Sequence, residues 1–378
     1  MTALGVAVVG GRGYGSLHLR RLRELEAAGQ ARLLGVADPI RPVDDDDPGD
    51  ARWFRSFSEL LDAGIRPDIV VIATPPHTHA DLALEAIGAG ADVYLEKPPA
   101  SSFAQFVELQ RAALTTGRAV QVGFQSLGSE ALGIISDLVD GGEIGDIESV
   151  AAIGTWSRNS AYFRRTNWSG KRELDGRPVV DGAATNPLAH AVVTALHLVG
   201  AVHADDVVAV DTDLYRANDI ESDDTSVVRV HTTGGVRVTS ALTLCARTQT
   251  APTIVLQGSQ GAIELHYTLD EVIVDGPAGH RGFRTARNDL LQNLIAHRLT
   301  GEPLLSGLSE SGSFMRVLEA VRLAEPPTRI PESWITWVGE GGDRRAVVHG
   351  IEHLAARAAR EQATFAELGL AWTPAAIA

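Results

Sequence analysis

The sequence predicts two domains, a doubly wound α/β domain with a parallel sheet at residues 1–125 and an α+β domain with a large, mostly antiparallel open sheet at residues 126–378. Three observations carry this. The chain opens on an apolar run that ends in glycines. Strand and helix patterns then alternate as far as residue 125. Beyond Glu130 the pattern changes to short strands separated by tight turns.

The opening Leu4-Gly5-Val6-Ala7-Val8-Val9 reads as a buried parallel strand, and Gly10-Gly11-Arg12-Gly13-Tyr14-Gly15 follows it as a tight turn. Ser16 to Glu26 places Leu17, Leu22 and Leu25 on one stripe of a helix. Strand, glycine turn and helix together form a Rossmann-type dinucleotide site, where glycines admit the backbone to a pyrophosphate and helix N–H groups meet its charge. In a G-x-G-x-x-G register from Gly10 the last glycine is Gly15, but Arg12 takes the middle place, so its guanidinium either swings onto the pyrophosphate or crowds it.

A second strand, Ala31 to Ala37, ends in Asp38, 23 residues beyond Gly15. A carboxylate there accepts from both adenosine ribose hydroxyls and repels a 2′-phosphate, which favours NAD; Arg41 keeps NADP open. The pattern continues with a helix around Ser58 to Ala63, a strand Asp68 to Ala73, the turn Thr74-Pro75-Pro76 and a helix His79 to Ala89. A strand Asp92 to Leu95, a helix Phe103 to Thr115 and a strand Ala119 to Gly123 complete the first domain. In the second domain Ile147 to Trp156, Val207 to Tyr215, Ser226 to Thr232, Val236 to Leu244, Thr253 to Leu256, Ala262 to Leu265 and Glu271 to Val274 read as strands. Helices near Leu188 to Leu198, Leu290 to Leu299 and Ser311 to Leu323 are expected to cover one face of that sheet. The other face needs cover from a second subunit, as a homodimer or homotetramer, or from the helix-like tail Ala346 to Leu368.

Composition narrows the function. Of 378 residues 44% are hydrophobic and 21% charged, as in soluble globular enzymes, and no apolar run or leader marks a membrane or secretory route, so a cytoplasmic place is expected. The net charge of -15 argues against nucleic acid and anionic membranes as partners. Asp44 to Asp47 reads as a solvated loop, and Cys245 as a small buried hydrophobe. No metal site is expected: His77 and His79 flank a turn, and His349 and His353 lack the glutamate and third ligand of a zinc motif.

Four segments resemble the glucose-fructose oxidoreductase, inositol dehydrogenase and MocA-like (Gfo/Idh/MocA) family: the glycine turn with His18, Ala73-Thr74-Pro75-Pro76-His77-Thr78-His79, Glu96-Lys97-Pro98, and Asn186-Pro187-Leu188-Ala189-His190. The resemblance implies hydride transfer between a nicotinamide and a hydroxyl or carbonyl carbon of a sugar or cyclic polyol. It implies cofactor contacts from Gly10, Arg12, Gly13, Tyr14, Gly15, Asp38, Thr74, Pro75, Pro76, His79, Glu96, Lys97 and Gln125. Lys97 is then the group on the reacting oxygen and His190 the one that exchanges its proton. Where the family usually carries aspartate this chain has Asn186, which orients but cannot titrate. That departure leaves open a redox-neutral enzyme that retains NAD, or a dinucleotide-binding regulator without catalysis. Between the first strand of the second domain and Asn186, Trp156, Arg158, Tyr162, Trp168 and Arg172 offer aromatic faces and cations suited to a sugar ring.

Overall fold

The structure, a computed structural model, describes residues 3–41 and 51–373, so the acidic run Asp44 to Asp47 lies outside the described residues. Packing divides the chain into two compact units, residues 1–125 with 288–309, and residues 126–287 with 310–378.

The first unit opens with β1 (Leu4–Val9), α1 (Tyr14–Ala27), β2 (Ala31–Ala37), β3 (Arg52–Phe54), α2 (Phe57–Asp62), β4 (Ile69–Ile72), α3 (His79–Gly88), β5 (Asp92–Leu95), α4 (Phe103–Thr116) and β6 (Val120–Val122). The sheet order is β3-β2-β1-β4-β5-β6 and every pairing is parallel. Strand order reverses between β1 and β4, and ligands of such sheets bind beyond the strand ends at that point. The glycine turn leaves the end of β1 and the Thr74 turn leaves the end of β4. Val6, Val8, Val36, Ile69 and Val71 are buried on the sheet, against Leu19, Leu22 and Leu25 of α1.

The second unit contains α5 (Ala131–Asp140), β7 (Ile147–Thr155), α6 (Ser160–Phe163), β8 (Glu173–Leu174), β9 (Arg177–Pro178), α7 (Ala189–His197), β10 (Val207–Arg216), β11 (Thr225–Thr232), β12 (Arg237–Thr243), β13 (Thr253–Gly258), β14 (Ala262–His266), β15 (Glu271–Gly276) and β16 (Gly279–Arg284). After α8 (Leu290–Thr300) come α9 (Gly312–Leu323), β17 (Thr328–Arg329), β18 (Ile335–Val338), β19 (Arg345–Val348) and α10 (Ile351–Glu361). Nine strands pair in the order β16-β15-β14-β13-β7-β12-β11-β10-β17. Only β7–β12 and β10–β17 are parallel among them.

Consecutive strand residues face opposite sides, so two neighbours in β7 show what covers each face. Gly154 lies under Leu188, at the entry to α7. Ile153 packs on the other side with Ile351, Ala355 and Ala358 of α10 and with Phe365 and Trp372 beyond it. The chain's own tail, one of the two covers expected for this face, therefore packs on it. Trp372, fully buried, meets Tyr215 edge-on at 4.7 Å. Two expectations are corrected. Ala346–Val348 belongs to a strand rather than to the tail helix. The helix over Leu290 to Leu299, expected on the second sheet, packs Leu290, Leu291, Leu294 and Ile295 into the core of the first unit. Gln121 of β6 secures it with Nε2 hydrogen bonds to Leu290 O and Asn293 Oδ1.

Two buried groups give the second unit opposing pH slopes. Burial, helped by His203, lowers His197 from 6.5 to about 4, so its contribution is present above pH 6.5 and is lost as pH falls to about 4. Burial raises Asp223 from 3.8 to about 6, so its contribution is present below 3.8 and is lost as pH rises through 6. Each is worth roughly 3 kcal/mol at its limit. His197→Gln should therefore gain roughly 3 kcal/mol relative to the parent on going from pH 7 to pH 4, and Asp223→Asn should lose a similar amount over the same interval. Urea unfolding midpoints at both pH values check this, and parallel shifts in both variants would refute it.

Candidate active site

The candidate cofactor residues lie in the first unit. Gly13 enters α1 with φ 60°, a conformation glycine adopts without strain, and no side chain caps the helix; the Gly15 and Ser16 N–H groups donate to the Arg12 and Gly13 carbonyls at 3.1 and 3.3 Å. A Cβ on Gly15 would run into the Gly10 carbonyl, so the helix sits on the strand end only because that residue is glycine. Tyr14 is exposed beside this turn.

Asp38, 5% exposed at the end of β2, is preorganised as an acceptor. Its Oδ2 accepts from Gly11 N at 3.0 Å, and its Oδ1 from Ile40 N at 2.9 Å and Arg12 Nε at 3.2 Å. Arg12 is thereby paired with the strand-end carboxylate. The Thr74-Pro75-Pro76 turn is tied to the segment after β5 through His79, whose Nδ1 lies 2.7 Å from Pro98 O and Nε2 2.8 Å from Thr74 O. Burial lowers the His79 pKa, against the pull of those two carbonyls and Glu96.

Lys97 is half-buried and lies two residues beyond the end of β5. Its neighbour Glu96 is fixed on three sides. Oε1 meets His18 Nε2 at 2.9 Å and Gln125 Nε2 at 3.4 Å, and Oε2 accepts the Lys97 N–H at 3.3 Å. The His18 ring is itself stacked edge-on against Tyr94 at 4.8 Å. Two histidines therefore hold the Glu96-Lys97-Pro98 segment, one at the glutamate and one at the proline.

Further candidate residues lie in the second unit. His190 is in the first turn of α7, and its Nδ1 is 3.4 Å from Ser126 Oγ, which accepts from Thr194 Oγ1 at 2.8 Å. For Nε2 to take a proton, Nδ1 must carry hydrogen, and Ser126 Oγ is the acceptor this geometry offers. Asn186 precedes the helix rather than lying on it, and its Nδ2 donates to Asp181 Oδ1 at 2.5 Å.

After β7 the chain forms a ladder of rings and cations. The Arg158 guanidinium lies 4.6 Å from the Trp156 ring and 5.1 Å from Tyr162, while Arg165 lies 3.8 Å from Tyr162 and 5.1 Å from Trp168. Trp156, Arg158, Tyr162 and Trp168 are thus brought together, with Arg165 as a member that sequence reading missed. Arg172 is used differently: its Nη2 donates to the carbonyls of Val321, Arg322 and Ala324 at the end of α9. A cavity of about 760 Å³ opens beside this loop, lined among others by Phe163, Arg164, Lys171, Val180 and Arg216. Cys245 is fully buried and burial holds its thiol up, as befits a packing residue. Among the described residues no cluster of potential metal ligands forms. No helix among them is long and apolar enough to cross a membrane.

A parallel sheet with a glycine turn, a buried carboxylate at the end of β2 and a braced lysine after β5 defines the fold of a dinucleotide-binding oxidoreductase. Family models agree: residues 4–124 match the oxidoreductase family with NAD-binding Rossmann fold, and residues 134–264 match the GFO/IDH/MocA C-terminal domain. The chain belongs to the Gfo/Idh/MocA family. It is 32% identical to an inositol 2-dehydrogenase of Gluconacetobacter diazotrophicus over 40% of this chain and 45% of that protein. It is 31% identical to the scyllo-inositol 2-dehydrogenase (NAD(+)) of Bacillus subtilis over 37% of this chain and 41% of that one. The matches therefore span less than half of these relatives. Among solved structures, the WlbA dehydrogenase of Bordetella pertussis, in complex with NADH and UDP-GlcNAcA, superposes with a TM-score of 0.68 at 22% identity, covering 84% of this chain and 95% of that one. An NAD binding oxidoreductase from Klebsiella pneumoniae gives a TM-score of 0.70 at 18% identity, over 84% and 96%. Both share the fold.

Proposed function

We propose that this chain is an NAD-dependent dehydrogenase that moves a hydride between the cofactor and a carbinol or carbonyl carbon of a sugar or cyclic polyol. The observation that carries the reading is the bracing of Lys97 between His18–Glu96 and His79–Pro98, in the same unit as a buried ribose-type carboxylate. The residues fit the cofactor: the glycine turn and the positive end of the α1 dipole suit the pyrophosphate, and Asp38 suits the adenosine ribose. Bound NAD supplies the hydride acceptor. A carbinol that loses hydride must also lose its hydroxyl proton, and the Lys97 ammonium stabilises negative charge developing on that oxygen. His190 Nε2 receives the proton while Nδ1–H donates to Ser126. Asn186 binds and orients without titrating, and the Trp156–Arg158–Tyr162–Arg165–Trp168 ladder offers ring faces to the C–H side of a sugar.

Titration of the purified chain with NAD, NADH, NADP and NADPH, followed by fluorescence and calorimetry, tests the cofactor part. Micromolar binding of NAD(H), at least tenfold tighter than NADP(H), is expected. A polyol panel read by NADH absorbance then tests the chemistry. Absence of dinucleotide binding would sink the reading, and turnover without free NADH would replace it with a redox-neutral reaction.

A further inference from the structure

Resting on that reading, we propose that Asp181 is a positioning residue for catalysis: it is the carboxylate of the second unit's site, displaced from position 186 and acting through the Asn186 amide. The side chain of Asp181 is 2% exposed. Its Oδ1 accepts from Asn186 Nδ2 at 2.5 Å, its Oδ2 accepts from Gly170 N at 2.6 Å, and Arg165 Nη2 lies 3.7 Å away. These partners belong to different parts of the site. Gly170 closes the loop that follows the aromatic ladder, Arg165 is a rung of that ladder, and Asn186 leads into the helix of His190. The Tyr162 phenol is also coupled to Asp181, its pKa raised by burial first and by the Asp181 charge second.

The backbone is arranged to deliver this carboxylate. Val180, immediately before it, has φ 54°, a conformation costly for a β-branched residue. It is held there by hydrogen bonds from Val179 N, at 2.8 Å, and Val180 N, at 3.2 Å, to Arg172 O, and from Asp181 N to Lys171 O at 2.9 Å. Thr185 Oγ1 donates to Val180 O on the same turn. Such strain persists where surrounding structure over-determines it, and here its effect is to aim Asp181 inward. With Nδ2 committed to the Asp181 carboxylate, the amide of Asn186 has one orientation, and the direction its Oδ1 faces is fixed with it.

Exchange of the two side chains tests this. In Asn186→Asp, two carboxylates replace a carboxylate and an amide at hydrogen-bond distance, and both cannot ionise. The kcat/KM profile should shift to higher pH and activity at pH 7 should fall on the order of tenfold or more. The variant's Tm should also drop as pH rises. Asp181→Asn, which frees the amide to turn, should lower kcat by a similar factor while the Kd for NAD stays within about twofold. The double variant Asp181→Asn/Asn186→Asp restores one carboxylate and one amide, and should recover activity to within about threefold of the parent with the alkaline Tm loss gone. A double variant no better than Asn186→Asp overturns the inference. So does an Asp181→Asn variant with the parent's rate and pH profile. Absence of any turnover that Lys97→Ala abolishes overturns the dehydrogenase reading itself, and this inference with it.

Discussion

Lys97→Ala is expected to lower kcat by several hundredfold with the preferred polyol, while the Kd for NAD changes by no more than a few-fold. The size follows from what the ammonium does. A positioned donor on developing alkoxide charge is worth about 3–4 kcal/mol in a water-poor site, and each 1.36 kcal/mol is a factor of ten. The backbone of the segment does not depend on the lysine side chain. Glu96 is held by His18 and Gln125, and Pro98 by His79, so the loop should keep its shape when the ammonium is gone. Lys97→Met, which keeps the apolar stem and removes the charge, should be as impaired as the alanine variant. Steady-state kinetics with a parallel NAD titration separates the outcomes. A proportionate loss of NAD affinity would make Lys97 a cofactor ligand alone, and an unchanged kcat would remove it from the chemistry.

The parts of the fold that were legible are those whose own residues state their environment. Val6-Ala7-Val8-Val9 and Ile69-Val70-Val71-Ile72 are apolar at every position because both faces of a parallel strand are covered. β13 to β15 alternate because one face is more buried than the other. β16 was missed because Gly279-His280-Arg281-Gly282-Phe283-Arg284 carries two glycines and three basic residues, which an edge strand tolerates without displaying a strand pattern. The apolar stripe of α8 was visible, but a stripe shows which side is buried and not against what; Gln121 makes that choice from far away in sequence. The candidate site divides in the same way. Glycine turn, strand-end Asp and Glu96-Lys97-Pro98 are local motifs. Arg12–Asp38, Arg172 on the end of α9, and Asp181–Asn186 are decided by loops meeting in space, and their sequence neighbours give no sign of them.

Asp38→Ala is expected to change the NAD/NADP preference by about a thousandfold in kcat/KM, through loss with NAD and gain with NADP together. The argument turns on two charges of unequal weight. The Asp38 side chain is 6% exposed and that of Arg12 is 50% exposed. A carboxylate in that position repels a 2′-phosphate by several kcal/mol at an effective dielectric near 20, whereas a half-exposed ion pair is worth only about 0–1 kcal/mol. On the proposed NAD reading the carboxylate prevails in the parent chain, and the guanidinium leaves it at little cost. A carboxylate has about four acceptor positions, and three are filled by Gly11 N, Ile40 N and Arg12 Nε. Capture of both ribose hydroxyls thus requires Arg12 to let go of Oδ1. Once Asp38 is removed, the released guanidinium becomes a forked donor for the phosphate that the carboxylate had excluded. Arg12→Ala should act in the opposite sense and more weakly, sharpening the preference for NAD by a few-fold. Combining the two substitutions should forfeit most of the NADP gain seen with Asp38→Ala. If the double variant uses NADP as well as Asp38→Ala does, then Arg12 is not the phosphate ligand, and the pair seen in the structure only holds the turn in place.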